Sequence, residues 1–462
     1  MGALDLIRRI LPSKQPGTGV RMLEATSGKR WQNTPPFGPL AAEISGGAAR
    51  VRGRARHLRH NDPLAANAAS IYRTALVGYG VTASSKDADV NEAFSEWCRK
   101  SKFAELQAEI ADALVTDGEA IVVMRTDDNG ALRLQHIPAE QLDESMTVEL
   151  AGGGYIANGV EFNADDEIVA YHIFKTRLTD IFPSSQTPIR VSAEDVIHIF
   201  KRDGAGQHRG LSWFAPVVLP LNELSQLHDA LLVSAKIQAM MCGFVQDING
   251  TGTAFNDAQQ SGNAMDLSLE PGTMRVLPSG YSVTFSNPAQ MQQSVDYAAH
   301  SIRVIAAGLQ VPEFLLSGNM RNVNYSSART ALVQFRQHVE GIQHTLLVGK
   351  LFEPVFRRWL VLADLSGSLA LEDVPAVEWF FPAMPWIDPK KDAEGTAAMI
   401  AAGLKSRKQA VAELGFNIDQ LDDEIAKDRE RETRLALSFE QKPAANTNPE
   451  NSDDEEKDEQ EG

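Results

Sequence analysis

One short segment of this sequence brings together carboxylates and a histidine, the residue types that most often carry out hydrolysis. Asp165, Asp166 and Glu167 are followed five residues later by His172, a combination that a metal-dependent hydrolase or nuclease could use. The competing interpretation places the aspartates in a turn and the histidine, partly buried, in a strand. No HExxH, GxSxG or cysteine-based pattern accompanies these residues, so the sequence favours the second interpretation and predicts no catalytic residues.

Two glycine–lysine pairs, Gly28-Lys29 and Gly349-Lys350, bear on nucleotide binding. A phosphate-binding loop requires Gly, four residues and then Gly-Lys-Ser/Thr, and neither pair is followed by Ser or Thr. The two cysteines, Cys98 and Cys242, lack the spacing of zinc ligands, and we expect both to be buried apolar residues. The sequence therefore predicts no ATPase activity, no cofactor and no bound metal.

A run of five arginines is the first basic feature of the chain. Its members are Arg50, Arg52, Arg54, Arg56 and Arg59. Such a run can contact phosphates, can form ion pairs between subunits, or can be a solvated helix face, and charge patterning alone does not separate these alternatives. The five arginines are therefore candidates for contacts with phosphates or with a neighbouring subunit.

A polar segment between two predicted helices is the second candidate. It comprises Ser317, Gly318, Asn319, Met320, Arg321, Asn322, Val323, Asn324 and Tyr325. With three asparagines and one positive charge, it suits either an ordinary surface connection or a polar loop that meets a charged ligand.

Composition limits the class of protein. The chain has 462 residues, enough for two or three domains, and 43% hydrophobic and 23% charged residues are ordinary globular values. The most apolar stretch, 230–245, is interrupted by polar residues, so we predict no membrane span, no secretory signal and a cytoplasmic protein. The net charge is −17, of which the segment 450–461, with eight acids and one lysine, accounts for −7.

The periodicity of the first half predicts an α+β fold. Asp62 and Pro63 are typical of a helix start, and a helix is predicted over 90–115. Short apolar segments separated by turn residues then predict strands, which suggests one antiparallel-rich domain. These segments are 120–125, 131–137, 159–162, 167–174 and 195–200.

The second half is predicted to be mainly helical. Helices are expected over 211–244, from Pro288 to about Gln310, and from Ser326 or Ser327 onward, with apolar residues in a stripe. Between the first two, 273–277 and 281–285 are expected to pair as a β-hairpin. Shorter helices are predicted from Asp388 to about 402 and over 406–414.

Several short motifs, in this order, resemble the lambda-type family of tailed-bacteriophage portal proteins over roughly 50–431. They are Arg54-Ala55-Arg56 with Asn61-Asp62-Pro63, Asp117-Gly118-Glu119-Ala120, Ile137-Pro138-Ala139-Glu140, Arg209-Gly210-Leu211-Ser212, Ile305-Ala306-Ala307-Gly308-Leu309-Gln310-Val311-Pro312, Asn324-Tyr325-Ser326-Ser327-Ala328-Arg329 and Ile387-Asp388-Pro389. Each motif is weak alone, and their shared order makes the resemblance specific.

The resemblance implies a ring of about twelve subunits around a DNA channel at the portal vertex of the virion, assembled in the host cytoplasm. It implies the following segments: 50–211 the first part of an α+β wing, 212–243 and 288–310 two stem helices, 244–287 a clip, 311–325 a channel loop, 326–385 a long wing helix and returning segment, and 386–440 a helical crown. The two ends lie outside the resemblance, and their composition predicts a flexible basic arm over 1–49 and a disordered acidic tail over 441–462.

The implied partners are copies of the chain itself, a terminase ATPase, the major capsid protein or scaffold, head-completion or tail connector proteins, and double-stranded DNA bound without sequence specificity. The resemblance makes Ser317–Tyr325 the DNA-facing loop. The alternative function is a capsid-associated scaffold or head–tail adaptor that has no DNA channel.

Overall fold

The fold is described from a computed structural model, which covers residues 38–175, 187–239, 243–247, 281–285, 289–321, 323–369, 373–386 and 388–437. The chain divides into two compact units, one of residues 1–80 and 87–375 and one of residues 81–86 and 376–462. None of the helices within the described ranges is long and apolar enough to span a membrane.

Helices make up most of the described residues of the first unit. They are α1 (Leu40–Asn61), α2 (Pro63–Val77), α3 (Ala88–Lys100), α4 (Phe103–Thr116), α5 (Val218–Ala239), α6 (Ala289–Gly308), α7 (Glu313–Ser317), α8 (Tyr325–Ile342), a π-helix (Gln343–Phe352) and α9 (Glu353–Leu365).

The strands that the structure describes in the first unit form three antiparallel sheets. They are β2 (Glu119–Thr126), β3 (Leu132–Ile137), β4 (Val148–Glu149), β5 (Tyr155–Ala157), β6 (Val160–Phe162), β7 (Ile168–Ile173), β8 (Ile189–Ser192), β9 (Val196–Phe200), β10 (Gly243–Asp247) and β11 (Tyr281–Phe285). The sheet orders are β3-β2-β9, β4-β5-β6-β7-β8 and β10-β11. This mixture of helices and antiparallel sheets confirms the α+β prediction.

The second unit is built from two distant parts of the sequence. Strand β1 (Thr82–Ser85) pairs antiparallel with β12 (Val377–Phe380), so that Thr82 lies opposite Phe380. Three helices follow: α10 (Pro389–Ala401), α11 (Arg407–Glu413) and α12 (Ile418–Leu435). The helices predicted from Asp388 and from Ser406 are present, and the side chains of these two residues accept hydrogen bonds from the first turns of α10 and α11.

Aromatic side chains hold the helices of the first unit together. Phe94 of α3 contacts Phe356 and Trp359 of α9 at centroid distances of 5.1 and 4.9 Å. Tyr72 of α2 is buried and packs edge-on against Trp213 at 5.0 Å. Because each edge-to-face pair adds about 0.5–1.5 kcal/mol to the burial of its apolar surface, these contacts fix α2 and α9 in the core.

The long helix predicted from Ser326 departs from regular α-helix in its middle. It runs from Tyr325 through the π-helix to Leu365. In the π-helix the buried apolar residues Leu346 and Leu347 are followed five positions later by Leu351 and Phe352. That interval is compatible with the i→i+5 hydrogen bonding of a π-helix.

Several predicted boundaries were wrong. Residues 40–49, predicted as part of the arm, belong to α1. The helix predicted over 90–115 is broken at Lys102, whose φ of 54° is left-handed. The helix predicted over 211–244 begins only at Val218, and Gly243 starts β10. Residues 82–85, predicted in the wing, belong to the second unit.

The β insert agrees with its prediction in part. Strand 281–285 is present, and it pairs with β10, so that Tyr281 lies opposite Asp247. Its predicted partner, 273–277, lies outside the described residues. The same is true of residues 1–37 of the predicted arm, of Cys242, and of the predicted acidic tail 441–462.

Candidate functional site

Helix α1 divides the arginine run between two faces. Arg52, Arg56 and Arg59 follow one another at intervals of four and three residues and so share a face that packs on the rest of the unit. Arg56 donates two hydrogen bonds to Asp117, at 2.7 and 2.6 Å, and Arg59 lies 3.1 Å from Asp112. These three arginines form ion pairs within the subunit, a role that the sequence alone did not assign.

Arg50 and Arg54 lie on the other face of α1 and are exposed. Together with His57 they line a groove of about 550 Å³ whose opposite wall is the start of α5. Neither arginine forms an ion pair with another residue in the described part of the chain. Their assignment to phosphate or inter-subunit contacts therefore stays a prediction.

The strongest electrostatic feature of the structure is a buried cluster centred on Glu119. Arg209 donates to Glu119 through Nε, at 3.0 Å to Oε2, and through Nη2, at 2.5 Å to Oε1. Arg52 donates from Nη1 at 3.1 Å, and His198 Nε2 lies 3.0 Å from Glu119 Oε2. Glu144 accepts hydrogen bonds from both arginines, so two buried guanidinium groups share two carboxylates.

The cluster sits where two of the short motifs cross. Gly118 has a φ of 89°, and a Cβ added there would overlap the backbone of Leu211. A Cβ on Gly210 would in turn overlap the backbone of Gly118. The two glycines let the segments touch, and this contact brings Arg209 from one motif onto Glu119 of the other.

This cluster is the part of the site that sequence reasoning missed. The sequence shows Glu119 and Arg209 ninety positions apart, each beside a glycine that was interpreted as part of a turn. A charged residue next to a glycine in two separate motifs was the available signal. It indicates a buried pair only once the two motifs are known to meet.

Burial and charge act in opposite directions on the Glu119 carboxyl. Burial alone would raise its pKa, but the Arg209 guanidinium and the hydrogen bond with His198 outweigh burial and hold the pKa well below its ordinary value. Burial lowers the pKa of His198 despite the nearby Glu119 carboxylate. Among the described residues no hydrogen-bond partner faces the buried His198 Nδ1, so a proton there would be unsatisfied, which favours the neutral ring.

Stability is expected to fall on acidification. His198, His208 and His338 have pKa values lowered by burial, so the unfolded chain binds protons more readily below about pH 6.5. Their contribution to stability is complete above that pH and is lost as the pH falls. Below the ordinary carboxyl pKa, the depressed pKa of Glu119 adds a second loss of the same sign.

Urea unfolding measured at pH 7.5, 6.0 and 5.0 checks this expectation. The midpoint is predicted to fall between pH 7.5 and 6.0, before carboxylates titrate, and the fall is predicted to be smaller in a His198→Phe variant. A midpoint that is constant from pH 7.5 to 5.0 would contradict the neutral state assigned to His198.

The connection between α7 and α8 is shorter than the loop that the sequence predicted. Ser317 ends α7 and Tyr325 begins α8, so the connection itself runs from Gly318 to Asn324, and Asn322 lies outside the described residues. Residues 318–321 and Asn324 are exposed, and 61% of Met320 is accessible. The structure thus places the candidate loop at the surface of the first unit.

Side chains of α2 hold the base of the loop. Asn67 Nδ2 donates to the carbonyl oxygens of Leu315 and Leu316, both at 2.9 Å. Tyr72 OH donates to the carbonyl of Leu309 at 2.7 Å, two residues before the buried Val311. The loop therefore begins from a rigid base.

Inside the loop, asparagines order the backbone. Asn319 Oδ1 accepts from the backbone N–H of Arg321 at 3.1 Å, and Asn324 Oδ1 accepts from Ser327 N at 2.8 Å as the N-cap of α8. Two of the three asparagines thus have structural roles that the sequence alone did not assign. Arg321 is exposed and presents the only charge of 318–324 to solvent.

The residues considered for a hydrolase site lie as the non-catalytic interpretation predicted, with the aspartates in a turn and the histidine in a strand. His172 is buried in β7, with Nε2 2.9 Å from Glu161 Oε2, and Asp166 lies in the turn before that strand with a φ of 60°. Cys98 is partly buried, and burial raises the pKa of its thiol to about 12. Among the described residues there is no group of three or more His, Cys, Asp or Glu placed to hold a metal ion.

Comparison with known proteins gives a family match over most of the chain. The model of the phage portal proteins of the lambda family matches residues 26–343. A probable portal protein of Halomonas phage phiHAP-1 is 25% identical over 424 residues, which cover 84% of this chain and 81% of that protein.

Solved structures show weaker likeness. A chain from the neck of a native gene transfer agent particle, computed with C12 symmetry, has 16% identity and a TM-score of 0.45 over 86% of this chain and 98% of that chain. An HK97 family phage portal protein from Corynebacterium diphtheriae has 14% identity and a TM-score of 0.30 over 62% of this chain and 85% of that chain. At such scores, functional conclusions depend on the family match.

Proposed function

This chain belongs to the lambda family of phage portal proteins, and we propose that its copies form a closed ring of about twelve subunits around an axial DNA channel at the portal vertex of the virion. DNA enters the capsid through this ring during packaging and leaves through it at ejection. The proposed partners are a terminase ATPase, the major capsid protein or scaffold, and head-completion or tail connector proteins.

The observation that carries the proposal is the extent of the family match. Residues 26–343 contain α1, both sheets of the α+β region, the Glu119 cluster and the candidate loop with its anchors. We assign the α+β region to the wing, α5 and α6 to the stem, the β10-β11 insert to the clip, and the helices of the second unit to the crown.

The charge of the subunit suits a conduit through which DNA slides. Each phosphate neutralised by Lys or Arg adds salt-dependent affinity, and many such contacts would oppose sliding. The chain carries a net charge of −17, and three of its clustered arginines are paired inside the subunit. Contacts through Arg321 would be few, directed to phosphates and independent of sequence.

The energy for packaging is proposed to come from another protein. Gly349-Lys350, the second glycine–lysine pair of the sequence, lies within the π-helix and so does not form a phosphate-binding loop. The proposed role of this chain is to supply a ring on which a terminase ATPase docks, without enzymatic activity of its own.

Ring formation tests the proposal directly. Native mass spectrometry of the purified protein is expected to show one closed oligomer of about twelve chains, and electron microscopy is expected to show an axial channel. A protein that stays monomeric across wide ranges of concentration and salt would contradict the proposal. Elongated or channel-free particles would instead indicate a scaffold or adaptor.

A further inference from the structure

The groove beside α1 combines cationic side chains with an apolar wall. Its lining residues are Arg50, Gly53, Arg54, His57 and Leu58 of α1 and Val218, Leu219 and Asn222 of α5. Leu219 is 64% exposed, and Arg50 and Arg54 are exposed on the same face of α1. Arg52, Arg56 and Arg59 lie on the other face of α1 and form ion pairs within the subunit, whereas Arg50 and Arg54 form no ion pair with another described residue.

We propose that this groove is an inter-subunit contact, in which the acidic surface of a second copy of this chain docks. The inference rests on the proposed function, because a closed ring needs a contact between two different surfaces of the same chain. It goes further by assigning one of those two surfaces to named residues.

The apolar wall favours a protein over DNA as the occupant. A phosphate backbone would pair with Arg50 and Arg54 but would leave Leu219 against charged, hydrated groups. A protein surface offers carboxylates and apolar groups side by side, as interfaces do, with a polar rim around a buried apolar centre. The two arginines then gain carboxylate partners, and Leu219 gains apolar contacts.

Charge favours a second copy. Every subunit carries a net charge of −17, so neighbouring copies in a ring repel one another unless cationic groups lie at their contact. Arg50 and Arg54 supply such groups on one face. The exposed acidic turn at Asp165 and Asp166 is an example of the surface that they would meet.

Gly53 adds a geometric argument. A glycine inside a helix costs about 1 kcal/mol relative to alanine. Apart from its chain neighbours and its own helix backbone, no described atom lies within 4 Å of a Cβ added at Gly53, so packing among the described residues does not require the glycine. The glycine leaves the α1 backbone open to close approach by a neighbour.

A Gly53→Leu substitution separates assembly from folding. The isolated subunit is expected to fold as well as the wild type, because leucine favours helix and has open space. Analytical ultracentrifugation is expected to show that the concentration for half-assembly rises at least about ten-fold, equivalent to about 1.4 kcal/mol. Gly341→Leu is the matched control, since Gly341 also lies in a helix of the first unit with no atom near its added Cβ.

The charges are tested by a pair of double variants. Arg50→Glu with Arg54→Glu is expected to weaken assembly at least as strongly, whereas Arg50→Lys with Arg54→Lys is expected to retain it. If the wild type forms rings and both Gly53→Leu and the glutamate variant assemble equally well, the inference about the groove is wrong, while the proposed function stands. The inference is also wrong if the glutamate variant forms normal rings but is no longer retained on DNA-cellulose, because the groove would then be a phosphate site. Absence of wild-type rings would contradict the proposed function itself.

Discussion

Replacing Glu119 with alanine is expected to lower the free energy of unfolding by about 3–5 kcal/mol, the range for breaking a buried ion pair from one side. Glu119 is 1% exposed, and Arg52 and Arg209 are each 4% exposed. Without Glu119, both guanidinium groups share the single carboxylate of Glu144, and the backbone N–H of Gly210 loses its acceptor. The cost comes mainly from charges left buried without compensation.

Urea unfolding followed by circular dichroism measures this effect, with Glu96→Ala as the control. Glu96 also pairs with a cation, Lys100, at 2.8 Å, but both side chains are exposed, so little change is expected. Equal midpoints for the two variants would show that the Glu119 cluster does not stabilise the fold.

A conservative companion variant separates charge from packing. Glu119→Gln keeps the shape of the side chain and one acceptor oxygen, yet it removes the negative charge that balances two arginines. We expect most of the loss seen with alanine to remain, since desolvated charges need an opposite charge more than they need a hydrogen bond. A glutamine variant as stable as wild type would show that the cluster acts through packing.

Local signals in the sequence predicted the elements that depend on neighbouring residues. Asp62 before Pro63 predicted the start of α2, and the Asp62 side chain accepts from Ala65 N at 2.9 Å. The short apolar segments predicted β2, β3, β6, β7 and β9 to within about two residues. Caps and strand alternation are local, so one sequence suffices to find them.

Contacts between distant segments were not predictable in the same way. The pairing of β1 with β12 joins residues nearly 300 positions apart, and no apolar alternation marks Thr82–Ser85 as a strand. The arginine run shows the same limit at the site. Its spacing implies that the arginines fall on two helix faces, but which face meets Asp112, Asp117 and Glu119 depends on the tertiary fold.

The candidate loop was predictable from the sequence only in part. Its polarity and its place between helices were evident from the sequence, whereas its anchoring by Asn67 and Tyr72 required the packing of α2. The proposed contact with DNA depends on this anchoring, because a loop that meets moving DNA must be positioned by something rigid. The family resemblance supplied the proposed role, and the structure supplies the support for the loop.

Replacing Arg321 with glutamate is expected to reduce packaged and retained DNA at least about ten-fold while rings still form. Each subunit would exchange its one positive loop charge for a negative one, and in a ring of about twelve this replaces phosphate attraction with repulsion all around the channel. The loop backbone should survive the change, since Asn319 Oδ1 accepts from the Arg321 backbone N–H and the N-cap of α8 is Asn324.

The measurement is nuclease-protected DNA per capsid, in capsids assembled with variant rings that electron microscopy has shown to be closed. Arg357→Glu is the matched control, because Arg357 is an exposed arginine of α9 with only a 3.8 Å contact to Glu353. Its capsids are expected to package normally. Arg321→Gln, which removes the charge without reversing it, is expected to give an intermediate loss. If Arg321→Glu capsids protect and retain as much DNA as those with Arg357→Glu, the loop is a surface connection, and the element that faces DNA lies elsewhere in the ring.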